Sequence, residues 1–193
     1  MKVFILKSAF LIIWISCYIL RYKHIKHTKR NKISVNQKTT KEKALLGFTS
    51  LGMMLLPLIS IFSDLFDFAS YKLPIVFQAT GLVLLPVSFW LFYRSHKDLG
   101  KNWSATLEIR EEHKLVTKGI YNSIRHPMYS AIWLWVICQA LLIDDYIGGL
   151  AGIISFGLLY LLRVKEEEAM MKEEFGQEYI EYMSKTNRLI PKI

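Results

Sequence analysis

Cysteine is scarce in this chain, and recognisable catalytic signatures are scarcer. Cys17 and Cys138 each stand alone inside an apolar run, with no partner at metal-ligand spacing. The sequence therefore implies no disulfide framework and no metal site, and both thiols read as small hydrophobes. HExxH, CxxC, GxSxG and P-loop patterns are missing, as is a GxGxxG following a strand. Their absence argues against a soluble Rossmann-type cofactor site and leaves loops and helix ends to hold any cofactor. The chain also lacks internal repeats and low-complexity linkers.

Charge is missing from long stretches. Ala44–Ser63, Leu73–Tyr93, Pro127–Ile143 and Tyr146–Leu162 carry none, and Val3–Leu20 carries only Lys7. A bilayer core of roughly 30 Å needs about 20 helical residues, with a usable range of about 17–25. The expected fold is thus all-α: a polytopic membrane protein in one domain spanning 1–193. Its five transmembrane helices are expected near 3–20, 44–63, 73–93, 127–143 and 146–163. The first run is read as a retained helix and not a signal peptide, because RYKHIKH follows it where a small-residue cleavage site would stand.

Lys and Arg number 25 against 16 Asp and Glu, a net charge of +9. Their placement speaks against nucleic acid as the partner. Nine fall between Arg21 and Lys43 and seven between Arg94 and Arg125, whereas Asp64–Lys72 and Asp144–Asp145 together carry only Lys72. Alternation of this kind is the positive-inside pattern. It sets the N-terminus outside and puts the C-terminus, Arg21–Lys43 and Arg94–His126 in the cytoplasm, where the basic loop suits anionic lipid.

Between Tyr93 and Pro127 the chain turns polar, through SHKDLGKNWSATLEIREEHK. Trp103 and the alternating apolar residues suggest a segment that lies on the membrane and folds back, and loops of this length inside a domain are usually functional. Pro127 disfavours helical geometry at His126 and suits the first helical position itself. The amides at that helix start suit a carboxylate. Pro57 and Pro86 are expected to kink their helices. The last two apolar runs are joined only by Asp144, Asp145 and a short turn, so their cytoplasmic ends, His126 and Arg163, must lie close together.

Arg163 and Glu167 share a helix face, in the less stabilising order for a purely structural pair. The 17 residues of Tyr146–Leu162 span only about 25 Å at roughly 1.5 Å per residue. Arg163 therefore starts at or slightly within the membrane boundary, where an ionisable group is a functional candidate. Glu166 and Glu168 read as surface charge, and Lys165–Met183 as an interfacial amphipathic helix with an apolar stripe of Met170, Phe175, Tyr179 and Tyr182.

The run His113-Lys114-Leu115-Val116-Thr117-Lys118-Gly119-Ile120-Tyr121, then Arg125-His126-Pro127-Met128-Tyr129, resembles the cofactor motif of the isoprenylcysteine carboxyl methyltransferase family. So do Arg163-x-x-x-Glu167-Glu168, Phe175-Gly176-x-x-Tyr179-x-x-Tyr182 and Arg188-x-x-Pro191. The resemblance covers about Asn102 to the C-terminus, and the short five-helix form is similar to prokaryotic, archaeal-type members. It departs at Thr106, where the family has glutamine, and at Ala131, where it usually has glycine.

The resemblance implies S-adenosylmethionine-dependent methyl transfer at the membrane–cytosol boundary, with S-adenosylhomocysteine as product. The cofactor region would be about 102–129 and 163–191. Within it His113, Lys114, Leu115, Val116, Tyr121, His126, Pro127, Met128 and Tyr129 would line the cofactor site. Arg163 and Glu167 would carry the substrate end, Arg163 as a planar fork for a prenylcysteine carboxylate. Partners would be a lipidic acid or prenylated cysteine and membrane lipid. A phospholipid N-methyltransferase is the nearest alternative, followed by a sterol-reductase-like enzyme and a non-catalytic lipid-binding protein.

Overall fold

The apolar runs become five helical rods. The computed structural model describes residues 2–28, 33–36, 39–102, 108–110 and 114–192. Helix α1 spans Lys2–Thr28. The second rod is α2 (Thr40–Ser50), a π turn (Leu51–Leu55) and α3 (Leu56–Phe62). Then come α4 (Ile75–Leu99), α5 (Pro127–Leu142) and α6 (Tyr146–Lys185). The sole sheet among the described residues is a small antiparallel ribbon, β1 (Ile33–Asn36) with β2 (Glu108–Arg110).

Among the described residues three rods are long and apolar enough to cross a membrane: Thr40–Phe62, Ile75–Leu99 and Tyr146–Lys185. Helix α5 is apolar but shorter, at 16 residues. The outward faces carry Phe62, Val83, Ile154 and Leu161, all largely exposed. An apolar exterior of that extent suits lipid, not water. The protein is an all-α integral membrane protein.

Helix α5 lies at the centre, packed between α4 and α6, while α1 leans on α4 and the second rod on α6. Val136, Cys138, Phe156 and Ile143 are almost wholly enclosed, and Phe10 of α1 meets Trp135 with ring centroids 4.6 Å apart. Cys17 and Cys138 are free thiols within this packing.

Several boundaries differ from the charge-free runs. The second rod starts at Thr40 instead of Ala44, because Thr39 caps it: its hydroxyl accepts the Glu42 N–H at 3.1 Å. Helix α4 runs past Tyr93 to Leu99 and stops at Gly100, whose φ is +55°. Helix α6 does not end near Arg163 with a separate interfacial helix after it. It continues to Lys185, because Leu162–Phe175 is rich in strong helix formers and holds no Gly or Pro. Gly176, with φ +53°, turns the chain there.

The effect of Pro57 is specific. In the π register of Leu51–Leu55, Leu56 donates to the Leu51 carbonyl, and the next donor, to Gly52, would be Pro57, which has no N–H. Gln139 of α5 fills the gap: its Nε2 donates to the Gly52 carbonyl at 3.0 Å and to the Gly148 carbonyl at 2.7 Å. Gly52 also lets α6 approach, since a Cβ there would meet Ser155 Oγ at 2.2 Å. Helix α4 continues through Pro86 without a break.

Candidate active site

The site begins with a turn fastened to the end of α4. Gly119 has φ +63°, and a Cβ there would lie 2.2 Å from Asp98 Oδ2. That same carboxylate accepts the Ile120 N–H at 2.9 Å and pairs with Arg94 at 3.3 Å. Tyr121 is thereby buried, its hydroxyl donating to the Ser95 carbonyl at 3.3 Å. Its own carbonyl accepts the Tyr182 hydroxyl at 2.6 Å, so the turn is held from both α4 and the end of α6. Burial, and then the nearby Glu167 charge, push the Tyr121 phenol well up, so it stays protonated.

A second fastening joins the RHP segment to the C-terminus. The Arg125 and His126 amides donate to the carbonyls of Asn187 and Arg188 at 3.0 and 2.9 Å. Ser130 Oγ reaches the Leu189 carbonyl at 2.6 Å. As expected, His126 sits before α5 with non-helical φ and ψ, and Pro127 occupies the first turn.

Glu168, read from sequence as surface charge, is instead a buried hub. Arg188 donates to it twice, at 2.9 and 2.6 Å, Arg125 Nε at 2.9 Å, and His126 Nε2 lies 3.3 Å away. It belongs to the charged extension of α6 beyond the apolar run 146–162. Burial pushes this carboxyl up, but the hydrogen bonds from His126, Arg188 and Arg125 outweigh it and hold the group well below the usual carboxylate range. The Arg188 guanidinium is raised by the same contact. Met170, Tyr179 and Tyr182 are likewise buried within the protein, where the sequence suggested an apolar stripe on lipid.

Glu167, one residue earlier, points the other way. It accepts the Tyr129 hydroxyl at 2.5 Å, lies 3.8 Å from His126 Nδ1 and stands 3.9 Å from Arg163 Nε. The α5–α6 hairpin thus brings His126 and Arg163 to either side of one carboxylate. The Tyr129 ring stacks on His126 at 5.4 Å and meets Phe156 and Tyr160 edge-on. Arg163 is nearly enclosed and also pairs with Glu42 of α2, Nη2 to Oε1 3.8 Å.

These groups surround a cavity of about 410 Å³. Lys114, Leu115, Val116, Tyr121, His126, Pro127, Met128 and Tyr129 all line it, as do Arg163 and Glu167. His113 lies outside the described residues, as does Thr106. The lining also includes residues that sequence reading passed over: Arg21 and Tyr22 of α1, Met53 and Met54 of the π turn, and Tyr179 and Tyr182 of α6. In the sequence Arg21 reads only as one of the basic residues that set the topology. Chemically the cavity offers apolar walls, a tyrosine-bound carboxylate and arginine side chains, a set suited to a charged head with an apolar body.

Comparison with known proteins agrees with this architecture. Residues 92–173 match the family model described as isoprenylcysteine carboxyl methyltransferase (ICMT) family. A protein-S-isoprenylcysteine O-methyltransferase B of Arabidopsis thaliana is 31% identical over 94 residues, 48% of this chain and 48% of its own. The Schizosaccharomyces pombe protein-S-isoprenylcysteine O-methyltransferase is 28% identical over 120 residues, 61% of this chain and 51% of its own. Over much of its length the chain shares its fold with a solved structure of a eukaryotic intramembrane Ras methyltransferase ICMT. That match has a TM-score of 0.52 at 21% identity, over 83% of this chain and 55% of the other. The chain spans about half the length of the curated relatives it matches first. Residues 92–173 are thus similar to the isoprenylcysteine carboxyl methyltransferase family.

Proposed function

We propose that this protein is an S-adenosylmethionine-dependent methyltransferase that esterifies the carboxylate of an isoprenylcysteine-like lipid acid at the cytoplasmic membrane face. The observation that carries the reading is the meeting of Arg163 with the Tyr129–Glu167 pair in one cavity that Leu115, Val116 and Tyr121 also line. The activity for which the relatives are named, protein-S-isoprenylcysteine O-methylation, supports it. The positive-inside pattern supports placing this face and the C-terminus in the cytoplasm.

The lining fits a methyl donor that combines a purine, a sulfonium and an amino-acid end. At about 410 Å³ the cavity falls in the range of small-molecule sites, roughly 300–1,000 Å³. Leu115, Val116 and Met128 suit the flat purine. The Glu167 carboxylate and the faces of Tyr121 and Tyr129 suit a cation. When bound, S-adenosylmethionine would supply a methyl group made electrophilic by its sulfonium.

The chain's own residues then have simple tasks. A prenylcysteine carboxylate, with a reference pKa of about 3.5, is already ionised near neutrality and needs orientation more than a base. Arg163 holds it. Tyr129 and Glu167 keep each other and that guanidinium in place, and the close-packed hairpin excludes water, so the rate gain comes mainly from alignment. Met53, Met54, Ile132 and Leu159 give the lipid an apolar wall.

A phospholipid amine is the second reading, favoured by the Glu167 carboxylate in the cavity, which would suit an ammonium. Purified protein titrated with S-adenosylmethionine and offered a farnesylcysteine analogue or phosphatidylethanolamine separates the two. Ester formation supports the first reading. Exclusive methylation of the amine, or no binding of the nucleoside, removes it.

A further inference from the structure

Arg163 lines two cavities. Besides the main chamber it borders a second of about 380 Å³, walled by Thr39, Lys41, Glu42, Leu45, Leu162 and Glu166. This is the seam where the start of α2 meets α6 as it leaves its apolar run.

Two ion pairs cross that seam side by side. Lys41 Nζ meets Glu166 Oε1 at 3.0 Å, with both side chains more than half exposed, and an exposed pair of this kind is worth little. Arg163 Nη2 and Glu42 Oε1 stand 3.8 Å apart with side-chain exposures of 11% and 7%. Removing one member of a buried pair strands the other charge, so this contact constrains its partners far more strongly. The backbone sets the place of Glu42: it lies in the first turn of α2, its N–H held by Thr39 Oγ1 at 3.1 Å, where the helix dipole favours a carboxylate.

Glu167 flanks the same guanidinium from the other side, at 3.9 Å from Nε. Arg163 is therefore set between two carboxylates on different rods, one of them outside the family-matched residues 92–173.

We propose that Glu42 is a positioning residue: it anchors Arg163 from the α2 side of the seam and so presents the guanidinium to the acceptor in the main chamber. This rests on the reading of Arg163 as the group that receives the acceptor's acid. Glu42 does not line the main chamber and acts through Arg163.

The test uses the full chain in lipid nanodiscs and compares wild type with Glu42→Gln, Glu42→Asp and Lys41→Ala. Three quantities are read: S-adenosylmethionine affinity, kcat and KM for a farnesylcysteine analogue, and the rate of Arg163 labelling by phenylglyoxal, followed by mass spectrometry. In Glu42→Gln, acceptor kcat/KM should fall by between about tenfold and a hundredfold, with nucleoside affinity retained and Arg163 labelled faster. Glu42→Asp should fall between the two, and Lys41→Ala should match wild type. Unchanged acceptor kinetics and labelling in Glu42→Gln would overturn the proposal. So would joint loss of nucleoside binding and thermal stability in both Glu42 variants, which would make the residue structural. Should wild type methylate no acid, the functional reading fails, while the labelling comparison still decides the role of Glu42.

Discussion

Tyr129 on α5 donates its hydroxyl to Glu167 on α6 at 2.5 Å, closing the seam between the two helices on the cavity wall. This contact links the RHPMY segment to the Arg163 helix, and it fixes the carboxylate oxygen that also faces Arg163 Nε at 3.9 Å.

Tyr129→Phe should keep the ring contacts with His126, Phe156 and Tyr160 and lose only that hydrogen bond. A hydrogen bond to a charged group is worth about 1.5–3 kcal/mol, so acceptor kcat/KM should drop by roughly tenfold or more. The melting temperature should fall by several degrees too, since the same contact joins α5 to α6 in the folded state. Steady-state kinetics beside a thermal scan in detergent would check both.

Arg163→Ala should abolish turnover on an acid acceptor while nucleoside binding survives. Arg163→Lys should restore little, because an ammonium cannot reproduce the planar fork or reach both Glu42 and Glu167. Equal activity in the lysine variant would mean that the site needs only a positive charge.

Glu168→Ala should damage the fold before it damages the chemistry. It strands Arg125 and Arg188, and removing one partner of a buried charge cluster costs about 3–5 kcal/mol. The sign with pH follows from the lowered carboxyl. The stabilisation is fully present above the unfolded value of about 4.3 and is lost only as pH falls through the lower folded value. Wild-type stability from this group should therefore be flat from neutrality down to about pH 5 and decline in stronger acid. Glu168→Gln should lack that acid-dependent step in a melting series.

Gly119→Ala should weaken nucleoside binding more than acceptor binding. A side chain at φ +63° is strained, and its Cβ would displace the Asp98 carboxylate that holds the Ile120 amide. A penalty of about 1–3 kcal/mol on the turn should appear as a higher dissociation constant for S-adenosylmethionine in a calorimetric titration.

The helical rods were legible because charge-free runs of bilayer length have few alternatives. The meeting of His126 and Arg163 was legible because a two-aspartate connection leaves the hairpin no other geometry. Other features required three dimensions. Glu166, Glu167 and Glu168 are consecutive and chemically alike, yet a helix sends them to Lys41, to Tyr129 and to the Arg125–Arg188 hub. Arg21 and Glu42 fall within the basic stretch Arg21–Lys43 of the sequence, whose charge explains itself by topology, so nothing local distinguishes them from their neighbours. The pairing of Pro57 with Gln139 was hidden because the orphaned Gly52 carbonyl arises only from the π register.

The most direct test is methyl transfer itself. Full-length protein in nanodiscs would be incubated with labelled S-adenosylmethionine and a farnesylcysteine analogue, and the bond to the transferred methyl identified. A base-labile carboxyl methyl ester, lost in Arg163→Ala, is the predicted product. Label found only on the amine of phosphatidylethanolamine, or no transfer by a preparation that binds the nucleoside, would contradict the account.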